Sequence, residues 1–379
     1  MLPRPIRVLV VDDAVVIRKI VTDLLKEDPA IEVVGTAANG HIALQKITQV
    51  NPDILTHDVE MPDLDGLETL RELRKTHPKL PVIMFSTLTE RGAGATLEAL
   101  ALGASDYVTK PANIGKVTEA LQRIREQLIP KIKGLCGAGP TVPTPRPAKS
   151  AVRPSPSPAS SPVRLAAAKT AGLPEVLAVG VSTGGPNALA SIIPLFPADL
   201  PVPVVLVQHM PPMFTRLLAD RLNQQSKVKV CEAAGGEVLE PGVVYIAPGD
   251  YHLTVRRHGA RVVTALNQDP PENSCRPAVD VLFRSVAEAY GSATFGVVLT
   301  GMGQDGLRGA EDIRRAGGCI FAQDEESSVV WGMPGFVAKA GLAERIVPLP
   351  SMAAEILRRL SRPAATARPA APALTLTRP

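Results

Sequence analysis

Aromatic side chains are scarce, with one Trp, four Tyr and seven Phe among 379 residues, so any core must be built from aliphatic groups. Cysteine is scarcer still. Cys136, Cys231, Cys275 and Cys319 lie far apart with no CxxC spacing, which argues against a zinc site or a disulfide framework. No apolar run approaches the length of a bilayer span, and the apolar stretch before Asp12-Asp13 is shorter than a signal-peptide core. A cytoplasmic chain with no membrane insertion is expected. A concentrated basic surface is also missing. The net charge is +4, but seven Lys or Arg and no acid fall between Lys131 and Lys169, and three Arg and no acid fall beyond Ser361; without those ten cations the remainder carries −6. Nucleic-acid binding is therefore not expected.

What is present is enough apolar residue, 45%, for two ordinary α/β domains. Residues 1–133 alternate short apolar runs (Ile6-Val11, Ile31-Thr36, Asp53-His57, Pro81-Phe85, Asp106-Thr109) with amphipathic stretches (Val15-Lys26, His41-Thr48, Gly66-Lys75, Gly92-Leu102, Val117-Leu128). Five βα units predict a parallel five-stranded, flavodoxin-like sheet covered on both faces, with ligands at the carboxyl ends of its strands. Those ends carry Asp12-Asp13, Asp58, Ser86-Thr87 and Lys110-Pro111. Three carboxylates in one crevice repel unless a hard, oxygen-seeking cation such as Mg²⁺ joins them, which leaves room for a phosphate. Lys110 would pair with that phosphate and Ser86 would supply a hydroxyl. Singly, Asp12 or Asp13 would read as a helix cap and Lys110 as a solvated lysine; their joint placement at strand ends favours the site.

Through Val10-Val11-Asp12-Asp13, Asp58-Val59-Glu60-Met61-Pro62 with Asp65-Gly66, and Gly103 to Pro111, this third of the chain resembles a response-regulator receiver domain. The resemblance implies that Asp58 accepts a phosphoryl group from a histidine kinase. It also implies that Asp12, Asp13 and Asp58 hold Mg²⁺ with the Glu60 carbonyl, and that Ser86 and Tyr107 switch the surface. His57 is given no role.

Residues 134–174 lose all hydrophobic period and contain Pro-Ser-Pro-Ser-Pro at 154–158, which predicts a flexible Pro/Ala/Ser-rich linker; residues 361–379 read as a disordered tail. Between them, residues 175–360 alternate again. The expected architecture is a doubly wound, mostly parallel α/β domain with a hairpin-rich insertion over Val243-Ala265.

Within this second domain Gly180-Val181-Ser182-Thr183-Gly184 lies between the apolar run Val176-Val179 and a helix opening at Pro186, the strand-turn-helix setting of a nucleophile elbow. A serine needs a base, and the base needs an acceptor. His209 ends the strand Val204-Val207; His252 is the second choice, and His258 belongs to a turn. Asp305 follows the strand Phe295-Leu299 in Thr300-Gly301-Met302-Gly303-Gln304-Asp305-Gly306. Alone, Asp305 would be an N-cap and His209 a satisfied core residue. A serine, a histidine and an acid that each end a parallel strand point to a triad.

The order Ser, His, Asp differs from the α/β-hydrolase order. The words Gly180 to Pro186, Gln208-His209-Met210, Ile246 to Leu253, Arg276 to Phe283 and Leu299 to Gly306 instead resemble the chemotaxis protein-glutamate methylesterase family, CheB. That resemblance implies Ser182, His209 and Asp305 as triad, with Thr183 and the backbone at Met302 around the oxyanion. It implies demethylation of receptor glutamate γ-methyl esters, deamidation of receptor glutamines, and regulation by the receiver. The partners implied are methyl-accepting chemoreceptors and a kinase; no cofactor is expected in the hydrolytic domain, and a monomer is expected. The competing readings are a phosphate- or nucleotide-binding module built on Gly180 to Gly185, which lacks a Lys and the GxGxxG spacing, and a catalytically silent adaptor. A DNA-binding output is least supported, since no helix-turn-helix is evident.

Overall fold

The computed structural model describes residues 4–61, 64–110, 117–137 and 172–361; most of the expected linker and tail lie outside the described residues, as do Pro62 and Pro111. In chain order the first unit contains β1 (Ile6–Val11), α1 (Val15–Lys26), β2 (Ile31–Ala37), α2 (Gly40–Val50), β3 (Ile54–Asp58), α3 (Gly66–Thr76), β4 (Val82–Ser86), α4 (Glu90–Ala101), β5 (Asp106–Thr109) and α5 (Val117–Leu135). The strands are all parallel in the order β2-β1-β3-β4-β5.

Period-two alternation explains why both faces of this sheet are dry. Val8, Val10, Ile54, Ile83 and Phe85 face Val21, Leu25 and Leu128 of α1 and α5; Leu9, Val11, Leu55 and Met84 face Ala43, Leu70, Leu73 and Leu97 of α2 to α4. Asp65 starts α3 with a capping box to Glu68. The strand order reverses between β1 and β3, which opens a crevice above Asp12 and Asp58. Helix α5 runs on to Leu135, beyond the expected end at Leu128. Its last turns hold Lys131 on Asp106 (2.9 Å) and Lys133 on Asp28 (2.7 Å), so these two cations belong to folded structure.

The second unit contains β6 (Val176–Val181), α6 (Gly185–Ile192), β7 (Val204–Gln208), α7 (Phe214–Gln225), β8 (Lys229–Glu232), β9 (Val243–Ile246), β10 (His252–His258), β11 (Arg261–Asn267) and α8 (Val279–Tyr290). It continues with β12 (Thr294–Val298), α9 (Leu307–Arg315), β13 (Cys319–Gln323), α10 (Met333–Lys339), β14 (Arg345–Val347) and α11 (Leu349–Leu360). Seven strands form a parallel sheet in the order β14-β13-β12-β6-β7-β9-β8. The hairpin insertion is smaller than expected. It consists of β10 and β11, turning at Gly259, whereas β9 is an interior strand of the parallel sheet because all four of its residues are buried. Strand β6 is flanked by β7 on one side and β12 on the other, so the chain reverses its direction of winding there and leaves a crevice at the carboxyl end of β6.

The two units pack through α4 and β5 of the first and α6 and α7 of the second. The Tyr107 ring stacks on Phe214 with centroids 4.9 Å apart and planes 5° apart. Asn187 Nδ2 donates to the Leu100 carbonyl at 2.8 Å, and Arg221 Nη1 donates to the Leu97 carbonyl at 2.6 Å. Both bonds add a side-chain donor to carbonyls in the last turns of α4; that of Leu100 also accepts the Gly103 N–H at 3.0 Å.

Candidate active site

Strand β6 ends at Val181, and the chain turns sharply through Ser182, Thr183 and Gly184 into α6. Gly184 adopts φ 78°, a left-handed conformation that glycine reaches without strain. The turn is fixed from both sides: Ser182 N–H donates to the Thr300 carbonyl (3.0 Å), and Gln208 Nε2 donates to the Ser182 carbonyl (3.0 Å). Gly301 must remain a glycine, since a Cβ there would sit 2.9 Å from Ser182 Cβ and 2.4 Å from Met333 Sδ.

Val181 pairs in register with Gln208, so Ser182 and His209 are the next residues on neighbouring strands, and His209 N–H donates to the Val181 carbonyl at 3.2 Å. His209 Nε2 lies 2.8 Å from Asp305 Oδ2. Three strand ends thus converge on one rim. Among the described residues the Ser182 hydroxyl has no hydrogen-bond partner, and His209 Nδ1 faces Cys275 Sγ at 3.6 Å.

Asp305 is not the N-cap of the helix that follows it; α9 begins at Leu307 with Gly306 as its N-cap. The Asp305 carboxylate instead accepts the backbone N–H groups of Val279 (2.6 Å) and Asp280 (3.0 Å) in the first turn of α8, that of Gly306 (3.0 Å), and Asn273 Nδ2 (2.9 Å). Burial alone would raise its pKa, but His209 and the helix amides together hold it below the ordinary carboxylate value. For His209, burial disfavours the charged form, yet Cys275 and Asp305 outweigh it and make the imidazole more basic than usual.

Thr183 and Met302 flank the serine. Thr183 is buried and its hydroxyl donates to Asp106 Oδ2 of the first unit at 2.8 Å. Asp106 Oδ1 in turn accepts from Lys131 of α5 at 2.9 Å. Met302 is half-buried against the end of α5, where a methyl added to Gly134 would meet its Cε at 3.3 Å. His252, the second choice for a base, is buried away from the serine; its Nδ1 accepts from Ala278 N–H and its Nε2 lies 3.3 Å from the Pro270 carbonyl.

In the first unit Asp12, Asp13 and Asp58 place oxygens within 4.8 Å of one another, a donor set that suits a hard cation. Lys110 Nζ reaches Asp58 Oδ2 (2.6 Å) and Asp12 Oδ2 (3.0 Å). Burial raises Asp58 to about 6 despite Lys110. Glu60 N–H points to Asp58 Oδ1 at 3.3 Å. The Ser86 hydroxyl is turned onto backbone, donating to the Gly92 carbonyl at 2.9 Å. His57 is packed: it is fully buried, its Nδ1 meets the Asp58 carbonyl at 2.6 Å, and desolvation lowers it to about 4.

Asn273, Cys275, Asp280 and Asp106 were not singled out from sequence as parts of the site. Asp280 and Asp106 left a signal, as acids inside the quoted stretches Arg276 to Phe283 and Gly103 to Pro111.

Comparison with known proteins agrees with this architecture. The CheB methylesterase family profile matches residues 177–356, and that of the response regulator receiver domain matches residues 8–122. A protein-glutamate methylesterase/protein-glutamine glutaminase of Trichodesmium erythraeum is 53% identical over 356 residues, covering 93% of this chain and 99% of its own. One of a Nocardioides species is 56% identical over 363 residues, covering 94% of this chain and 96% of its own. Among the described residues no helix is long and apolar enough to cross a membrane. With a receiver domain ahead of a hydrolase-like α/β domain and this identity across nearly its whole length, the chain belongs to the CheB methylesterase family.

Proposed function

We propose that the chain is a phosphorylation-regulated serine hydrolase that demethylates glutamate γ-methyl esters on chemoreceptors, releasing methanol, and deamidates receptor glutamines. The observation that carries this reading is the His209–Asp305 pair, 2.8 Å apart, beside the serine that follows β6. The reading takes domain limits near 133, 174 and 360, where the hydrophobic period of the sequence stops, resumes and stops again.

With Nε2 directed to Asp305, the other imidazole nitrogen, Nδ1, which faces Cys275 Sγ at 3.6 Å, must exchange that contact for the Ser182 hydroxyl to take its proton. Ser182 Oγ attacks the γ-ester carbonyl, and the oxyanion forms beside the amides near Thr183 and Met302. Such donors typically contribute about 2.7–4 kcal/mol each. The imidazolium returns its proton to the departing methoxide, methanol leaves, and water activated by the same base hydrolyses the acyl-serine. A glutamine substrate follows the same course with ammonia as the leaving group.

In the first unit Asp58 is the phosphoacceptor, supplied by a histidine kinase. Asp12, Asp13, Asp58 and the Glu60 carbonyl would hold Mg²⁺, which neutralises phosphate charge when bound. Lys110 pairs with the added phosphate, and Ser86 and Tyr107 respond to it. The stacking of Tyr107 on Phe214 and the Asp106–Thr183 bond support a covered resting state.

The direct test is methanol release from methylated receptor by wild type and Ser182→Ala. Loss of release in the variant is expected; undiminished release would remove Ser182 from the mechanism.

A further inference from the structure

We infer that Asn273 is a positioning residue for the His209–Asp305 pair, its side-chain amide spanning Asp305 and a second interior carboxylate, Asp280. The inference rests on the hydrolase reading of Ser182, His209 and Asp305. Asn273 Nδ2 lies 2.9 Å from Asp305 Oδ1 and 2.9 Å from Asp280 Oδ2, so its two N–H groups serve one carboxylate each. Both carboxylates are buried, at 1% and 2% exposure. Two such anions repel across a short gap, and the amide dipole between them is the only side-chain donor they share among the described residues.

The backbone is shaped to deliver this amide. Asn273 and Ser274 adopt φ 53° and 62°, consecutive left-handed residues that only a few side chains tolerate, Asn foremost. Glu272 and Cys275 close the turn by exchanging backbone hydrogen bonds of 3.1 and 2.9 Å. Arg284 of α8 pins it by pairing with Glu272 at 2.8 Å. The remaining acceptors of Asp280 are met locally, with Gly309 N–H donating to Oδ1 at 2.7 Å. Asparagine fits because it is neutral and offers two donors; aspartate would add a third negative charge and serine only one donor.

The charged or titratable groups facing this cluster are Asp280, Cys275, Glu272 with its partner Arg284, and Asp312 of α9 on the far side of Arg284. Removing the amide makes the potential at His209 more negative. The imidazole then holds its proton to higher pH, and the base is available only there.

The test uses the full chain, stimulated with a small-molecule phosphodonor, and methanol release from methylated receptor membranes from mildly acid to alkaline pH. Asn273→Gly keeps the left-handed backbone while removing the amide. It is expected to move the acid limb of kcat/KM up by about one pH unit, a roughly tenfold loss at fixed pH below the limb, with KM close to wild type. Asn273→Asp should displace the limb further and Asn273→Ser less, with thermal unfolding identifying any variant that has lost the fold. A limb that stays where wild type has it, or a loss equal at all pH with raised KM, overturns the proposal. A Ser182→Ala control with full activity instead overturns the hydrolase reading, so the two failures are distinguishable.

Discussion

Two interior carboxylates, Asp305 and Asp58, are displaced in opposite directions by their partners. Asp305 receives three backbone N–H groups, an asparagine amide and an imidazole, and stays charged; Asp58 has one lysine and one long backbone contact, and burial raises it to about 6. Number of donors rather than depth decides the outcome. For His209 the consequence is an imidazole whose folded value lies above the ordinary one, because Cys275 and Asp305 together outweigh burial and favour the protonated ring. In the proposed mechanism the neutral ring is the active form, so activity should rise with pH through a limb placed above the usual histidine range. Asp305→Asn removes the anion and should bring that limb down. The same change should cut the maximal rate by about three to four orders of magnitude, since the imidazolium formed during attack loses its counter-charge and its orientation. A variant whose limb coincides with that of wild type would mean that Asp305 does not set the basicity of His209.

At the scale of elements, the contact between α4 and the α6/α7 pair includes side chains that donate to carbonyls in the last turns of α4, and it can be loosened without entering the site. Asn187→Ala with Arg221→Ala removes the bonds to Leu100 and Leu97. At about 0.5–1.5 kcal/mol each, their loss should raise esterase activity in the absence of phosphodonor roughly tenfold and narrow the stimulation that phosphodonor brings. Unchanged basal activity would show that this contact does not restrain the enzyme.

Most of these elements were legible in the sequence because their apolar runs were long and cleanly periodic, as in β1, β6 and β7. Ser182, His209 and Asp305 were legible for the same reason, each standing just past such a run. What escaped notice depends on tertiary placement. Strand β14 has three residues, α10 opens on Met-Pro-Gly, a sequence that reads as a break although Pro is tolerated in a first turn, and β9 looks like part of a hairpin until its burial on both faces is seen. The amide of Asn273 reaches Asp305 only because two left-handed residues fold the chain back, and residue type alone does not announce that geometry.

For the whole molecule, β5 is the element that touches both chemistries. Lys110, just past its carboxyl end, contacts Asp58, while Asp106 at its start bonds Thr183 beside the serine and Lys131 in α5. Tyr107 lies between them with its ring on Phe214. A new charge at Asp58 must draw on Lys110, and a four-residue strand cannot move one end without moving the other. This ordering makes a genetic statement possible. Asp58→Asn should keep the low basal methanol release and lose stimulation by phosphodonor. Asp106→Ala should raise basal release, because the Thr183 hydroxyl and the α5 lysine both lose their shared anchor. If the signal runs from Asp58 through β5 to the serine, the double variant must behave like Asp106→Ala alone, active with or without phosphodonor. A double variant as quiet as Asp58→Asn would place the restraint elsewhere on the interface and leave the Asp106–Thr183 bond a bystander.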